Sequence, residues 1–279
     1  MGRPPIRQAL LCLCLWWAAS ASVAAAAADP FPAAAKSYVV YVNGEPLWER
    51  KPDMPLPQAS LTKIMTALVA LEHLKLSDVV TVSREAELET GSKLGLRAGE
   101  KWYAGDLLAG ALIGSANDAC RALADHVGGS QKGFVRLMNR RAGQLGLRHT
   151  KYTNACGHDD RGHYSTANDL AALSMAALRN ATFSKMVGIS EGDIMSIDET
   201  RRIRLSNKNA LIGRYAGATG VKTGFTEGAG KCLVALAERE GVKVLLVMLD
   251  SPDRWWKAEE IMDRAFAEKK AGRNDLQQR

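Results

Sequence analysis

The spacing of apolar positions changes character several times along the chain. Behind Arg3 and Arg7 runs an unbroken apolar stretch, Ala9 to Ala19, followed by small residues over Ser20 to Ala28 with several Ala-x-Ala steps. A basic start, an apolar middle and a small-residue end are the parts of a secretory signal, so residues 1–28 read as a cleaved leader. The alternative is an uncleaved anchor, but Ser20, Ser22 and the alanines make a weak span of the ~20 apolar residues a bilayer requires. No stable membrane anchor is then expected after cleavage. Next, Tyr38 to Val42 and Pro46 to Arg50 flank Asn43-Gly44, which predicts a tight hairpin. After Pro52, Pro55 and Pro57, the three- and four-residue steps of Leu61, Ile64, Met65, Leu68, Leu71 and Leu74 predict a helix starting at or next to Ser60. Further helices are expected over Ala104 to Ile113, Asp118 to Val127, Gln131 to Leu145 and Thr166 to Leu178, the last capped by Ser165 or Thr166. The period then shortens to two, predicting strands at Thr200 to Leu205, Gly220 to Phe225, Lys231 to Ala237 and Lys243 to Leu249. Trp255, Ala258, Met262, Ala265 and Phe266 close the chain with an amphipathic helix that suits the face of a sheet.

A lone hairpin is marginal in water, and the other apolar strands lie near the C-terminus. Both chain ends are therefore expected in one antiparallel sheet flanked by helices, an α+β architecture with a mostly helical lobe inserted over about residues 80–195. A crevice should run between that lobe and the sheet edge. The expected organisation is a signal at 1–28 and one domain over 29–279, with no second domain following it.

The 279 residues are 47% hydrophobic and 24% charged, with a mean hydropathy of −0.15, which excludes disordered, collagenous and coiled-coil classes. The net charge of +7 falls to +5 once Arg3 and Arg7 leave with the signal. That surplus suits work among anionic envelope polymers and equally suits an ordinary surface. Loss of Cys12 and Cys14 leaves Cys120, Cys156 and Cys232, an odd number too scattered for a disulfide framework; they read as buried free thiols.

Three segments carry chemistry. In Ser60-Leu61-Thr62-Lys63 the hydroxyl and the amine lie three residues apart, on one helix face near a positive N-terminus; Ser60 as a plain cap is the simpler reading of this segment taken alone. Ser115-Ala116-Asn117, between two helices, offers a hydroxyl and an amide to relay a proton or hold a carbonyl, or alternatively caps a helix. Lys222-Thr223-Gly224 on a late strand offers a cation and a hydroxyl suited to a carboxylate, with a glycine that lets a ligand backbone approach.

Together and in this order, Ser-x-x-Lys, Ser-x-Asn and Lys-Thr-Gly resemble the penicillin-binding protein and serine β-lactamase superfamily. Their flanks, from Ala59 to Ala67, Ser115 to Ala119, Gly162 to Ala167, Gly220 to Thr226 and Ala229 to Ala235, resemble the low-molecular-mass D-alanyl-D-alanine carboxypeptidases of peptidase family S11. The resemblance spans about residues 37–270. It implies the serine β-lactamase/DD-peptidase-like fold and hydrolysis of the terminal D-Ala-D-Ala bond of a peptidoglycan stem peptide through a Ser60 acyl-enzyme. Lys63 would be general base, with its proton affinity lowered by desolvation and by Lys222, and Ser115 would relay the proton to the leaving amine. Asn117 would orient the substrate amide, and Lys222 and Thr223 would grip the terminal carboxylate beside Gly224. The amides of Ser60 and Phe225 would form an oxyanion hole, and Arg254 would be a second carboxylate-binding cation. No metal or cofactor is implied, and β-lactams would act as covalent inhibitors. A D,D-endopeptidase, a weak β-lactamase or a silent peptidoglycan-binding protein are the alternatives. The absence of a Glu-x-x-Leu-Asn segment over 150–200 argues against rapid β-lactam hydrolysis.

Two further clusters have simpler explanations. His158-Asp159-Asp160-Arg161-Gly162-His163 has metal-ligand residue types but reads as a solvated turn. Arg136, Arg140, Arg141, Arg148 and Lys151 lack interleaved aromatics and read as a solvated helix face, so no nucleic-acid partner is expected. The segment Asn154-Ala155-Cys156-Gly157-His158 departs from the proline- and leucine-containing form usual in the family, which leaves its loop geometry open.

Overall fold

A computed structural model describes residues 29–277; the segment read as a secretory signal lies outside them. The hairpin opens the fold as β1 (Ser37–Val42) and β2 (Glu45–Arg50). Its turn places Asn43 and Gly44 at φ 53° and 89°, the positive angles that this dipeptide supports. A 3₁₀ turn over Ala59–Thr62 leads into α1 (Lys63–His73). The inserted lobe follows, with β3 (Val79–Thr81), α2 (Arg84–Glu87), β4 (Lys101–Tyr103), α3 (Ala104–Leu112), α4 (Asn117–Gly128), α5 (Gln131–Gln144), α6 (Ala167–Leu178), α7 (Ala181–Val187), β5 (Glu191–Met195) and β6 (Arg202–Ser206). The chain returns through β7 (Ala218–Thr226), β8 (Gly230–Arg239), β9 (Val242–Leu249) and α8 (Arg254–Gln277).

The five-stranded antiparallel sheet has the order β2-β1-β9-β8-β7, so both chain ends do share it. Each central strand is buried on two faces, which is why β8 and β9 read as nearly continuous apolar runs. Val39, Val234, Leu245, Val247 and Leu249 face the helical lobe and join the core around α1, α3, α4 and α6. Their alternates Tyr38, Val40, Leu233, Ala235, Val244, Leu246 and Met248 face the other way. There α8 lays down Ala258, Ile261, Met262 and Ala265, the three- and four-residue spacing of one helix stripe.

Two features differ from expectation. The strand expected over Thr200 to Leu205 is present as β6, but it pairs with an unexpected strand, β5, in a separate two-stranded sheet. Glu191, Gly192 and Asp193 are poor strand formers. The pairing rests on Ile194 opposite Ile203 and on ion pairs of Arg202 with Asp193 and Arg204 with Glu191. The second difference concerns the thiols: Cys120 in α4 is bonded to Cys156, with Cα atoms 5.9 Å apart, and among the described residues only Cys232 is free and buried. The two cysteines stand 36 positions apart in sequence and meet only through the packing of the lobe. The basic run behaves as a solvated face: Arg136, Arg140, Arg148 and Lys151 are exposed, and Arg141 pairs with Glu72 at 2.9 Å.

Candidate active site

The crevice between the lobe and edge strand β7 contains a cavity of about 460 Å³ whose wall includes Ser60, Ser115, Asn117, Thr223, Phe225 and Arg254. Ser60 sits within the 3₁₀ turn rather than on the α-helix, and Lys63 is the first residue of α1. Three residues apart in this tighter turn, they meet directly, with Lys63 Nζ 2.9 Å from Ser60 Oγ. Lys63 Nζ also donates to Asn117 Oδ1 at 2.7 Å and to the Cys156 carbonyl at 2.8 Å, and its side chain is fully buried. Burial lowers its pKa to about 7, against the opposing pull of the Glu89 and Asp118 carboxylates. Of the two expected causes, desolvation is the one found, and Lys222 is not among the causes acting on Lys63. The repulsion registers on Lys222, held well below its ordinary range by burial and then by the charges of Lys63 and Arg254.

Lys222 is not on the cavity wall. Its ammonium donates to Ser115 Oγ at 2.8 Å and to the Thr223 carbonyl at 3.0 Å, behind the surface a ligand would touch. Thr223 is at the wall, as is Thr226 at the end of the same strand. Asn117 is similarly committed. Its Oδ1 accepts from Lys63 and its Nδ2 donates to the Thr90 carbonyl at 2.6 Å, leaving one amide N–H for a ligand. Gly224 is also at the wall, and it has a second reason to lack a side chain. A Cβ there would meet Ala59 Cβ and the Gln58 carbonyl at 3.0 Å and Ser60 N at 3.1 Å, so the missing side chain makes room for the Ser60 turn. Arg254 Nη1 donates to the Gly224 and Cys232 carbonyls at 2.7 and 3.1 Å, and its guanidinium lies 4.5 Å over the Trp255 ring. Phe225 is 56% exposed at the rim. Ala59 and Ser115 both hold left-handed backbone, φ 47° and 58°, which is costly for residues with a Cβ and is typical of functional sites.

Several residues of the site escape sequence reasoning. Asp118 accepts the backbone N–H groups of Leu94, Gly95 and Leu96, pinning the loop after the wall residues Gly91 and Ser92. Its place directly after Asn117 is the one signal that could have found it. Glu89 is bound by His158 Nε2 at 2.8 Å and Arg121 Nη1 at 2.9 Å. Burial pushes the Glu89 carboxyl up, but these hydrogen bonds outweigh it and hold the group below the usual range. The Cys156 carbonyl acceptor carries no side-chain signal at all. His158 and His163 take separate partners, the first on Glu89. The second is buried against Thr62 Oγ1 at 2.8 Å and Thr153 N at 3.1 Å, with burial lowering its pKa to about 4. Among the described residues no three His, Cys, Asp or Glu side chains converge as for a metal.

The sequence model of the Peptidase S11 family, described as D-alanyl-D-alanine carboxypeptidase, matches residues 23–253. D-alanyl-D-alanine carboxypeptidase DacF of Bacillus subtilis is 35% identical over 234 residues, 81% of this chain and 60% of its own length. The corresponding DacB2 of Mycobacterium tuberculosis is 33% identical over 260 residues, 89% of this chain and 88% of its own. The chain therefore spans about three fifths of the first relative and most of the second. The crystal structure of the Streptomyces K15 DD-transpeptidase superposes with a TM-score of 0.79 at 32% identity, covering 84% of this chain and 97% of that one.

Proposed function

The chain belongs to the Peptidase S11 family of D-alanyl-D-alanine carboxypeptidases, and we propose that it removes the terminal D-alanine of peptidoglycan stem pentapeptides through a Ser60 acyl-enzyme. One observation carries this reading: the Lys63 nitrogen lies 2.9 Å from Ser60 Oγ while two oxygen acceptors occupy its other sides. A neutral amine has two N–H groups and one lone pair. Asn117 Oδ1 and the Cys156 carbonyl can only accept, so they take both N–H groups and leave the lone pair facing the Ser60 hydroxyl. A proton affinity lowered to about 7 by burial makes that neutral form abundant near neutrality.

In the proposed reaction Ser60 Oγ attacks the carbonyl between the two D-alanines and gives its proton to Lys63. Lys222 donates to Ser115 Oγ, which frees the Ser115 hydrogen to turn toward the leaving nitrogen. The proton taken by Lys63 returns through Ser115 to that nitrogen, the C–N bond breaks, and D-alanine leaves. Water then cleaves the ester and restores Ser60. Asn117 orients the substrate amide with its remaining N–H. Thr223 and Arg254 meet the terminal carboxylate, with Lys222 behind them as the donor that holds Ser115. The amides of Ser60 and Phe225, beside Gly224, hold the oxyanion, a contribution whose loss typically costs ~10²-fold or more. A β-lactam would acylate the same serine and leave slowly. The residue pattern of 1–28 and the disulfide support an exported protein of the bacterial envelope, facing the periplasm. No helix among the described residues is long and apolar enough to cross a membrane.

The test is release of free D-alanine from a pentapeptide ending in D-Ala-D-Ala. We expect release by the native chain and none by Ser60→Ala; equal release from both, or none from either folded protein, contradicts the reading.

A further inference from the structure

Two of the three partners of Lys63 Nζ come from separate segments, Asn117 Oδ1 from the first turn of α4 and the Cys156 carbonyl from the loop after α5. Cys120 lies three residues beyond Asn117, on the same helix face, and is bonded to Cys156. The bridge thus joins the two segments at the point where both meet the lysine. The loop is set on either side of the bridged residue. The Ala155 carbonyl accepts from Thr66 Oγ1, one turn along α1 from Lys63, and Gly157 presses on the Ala59 carbonyl. Free thiols at the same positions would leave Cys156 without any covalent tie to α4.

We propose that the Cys120–Cys156 disulfide is a positioning element of the active site, holding the Cys156 carbonyl on the Lys63 nitrogen so that the amine lone pair stays on Ser60. The inference rests on the reading of Lys63 as base to Ser60. Displacement of a reacting group by 1 Å can cost ~10²-fold in rate, so a loop released by a fraction of that distance is enough to register. The groups facing Lys63 are Asp118 from α4, Lys222 from β7 and Glu89 with its partners His158 and Arg121; none of these residues is substituted in the test, although His158 shares the loop that the bridge holds. Burial dominates the proton affinity of Lys63, so admitting water through a loosened loop raises it.

The experiment follows the rate of Ser60 acylation by a fluorescent penicillin from pH 5 to 9, alongside thermal melts. It compares the oxidised chain, the chain reduced with dithiothreitol, and the Cys120→Ala/Cys156→Ala variant. Reduction moves two electrons and two protons from the dithiol, which closes to its cyclic disulfide, to Cys120 and Cys156, and peptide mapping after alkylation verifies it. While the protein remains folded, we expect acylation at pH 7 to fall ~10-fold or more in the reduced chain and in the variant. The acid limb should move to higher pH, and reoxidation should rescue the native chain but not the variant. An unchanged rate and limb in the folded reduced chain overturn the proposal. So does a loss that merely follows the unfolded fraction with the limb in place, which marks a purely structural bridge. If the oxidised chain itself is neither acylated nor releases D-alanine, the reading of Ser60 as nucleophile fails first and the inference falls with it.

Discussion

Lys63 is the residue on which the proposed chemistry turns, and its situation is unusual for a lysine. It is fully buried with three oxygen partners, and none of those three atoms is a carboxylate. Burial without a contacting anion disfavours the charged form, which is what a base for a serine hydroxyl needs. The sign follows directly: below about pH 7 Lys63 holds a proton and cannot accept another, and above it the amine is free. Acylation by a penicillin should therefore rise with pH through about 7 and level off; a flat profile between pH 5.5 and 8.5 would speak against Lys63 as base. Lys63→Arg keeps positive charge but cannot deprotonate, and should lower acylation by ~10²-fold or more in a rate measurement on folded protein. Retention of the native rate would remove Lys63 from the mechanism. Ser60, Lys63, Ser115, Asn117 and Thr223 were all legible in the sequence as chemistry-bearing types at suitable spacing. The commitments of Lys222 to Ser115 and of Asn117 to Thr90 were not, because hydrogen-bond partners 107 and 27 residues away are set by tertiary packing.

At the level of elements, the Ser60 turn is held from two sides by glycines. Gly157 has φ +91°, and a Cβ there would fall 2.0 Å from the Ala59 carbonyl oxygen, a backbone atom that cannot swing away. Gly157→Ala should cost about 2 kcal/mol or more of stability in a denaturant titration and lower acylation beyond the loss of folded protein, since relief must displace Ala59 and with it Ser60. Native stability and rate in that variant would show that the turn is not held by this contact. The long elements were readable because their apolar periods are strong. Predicted limits for the helices of the lobe and the strands of the main sheet fall within a few residues of those found. What escaped had weak local signals. β3 and β4 are three residues each, α2 is four, and β5 exists through its pairing with β6. The loop from Asn154 to His158 could not be built from sequence either. Asn154 Oδ1 accepts the backbone N–H groups of Gly157 and His158 at 2.7 and 3.0 Å, and the resulting turn presents the Cys156 carbonyl to Lys63.

Over the whole molecule, the sheet made from both chain ends forms one half of the site and the inserted lobe the other. β7 carries Lys222, Thr223 and Gly224 on a strand hydrogen-bonded along its length to β8, while α1, the 3₁₀ turn and the start of α4 bring Ser60, Lys63 and Asn117 from the lobe side. This division was legible, because a hairpin in need of partners and late apolar strands allow few other arrangements. The one covalent tie inside the lobe was not, since 36 residues of sequence separation say nothing about distance. The proposed reaction depends on a covalent ester formed on Ser60 in this crevice. Its most direct test is the intact mass of the protein after brief exposure to a penicillin, followed by mapping of the modified peptide. A single adduct of the drug's full mass is expected on the peptide containing Ser60, absent from Ser60→Ala. No adduct on the folded protein, or an adduct on another residue, would contradict it.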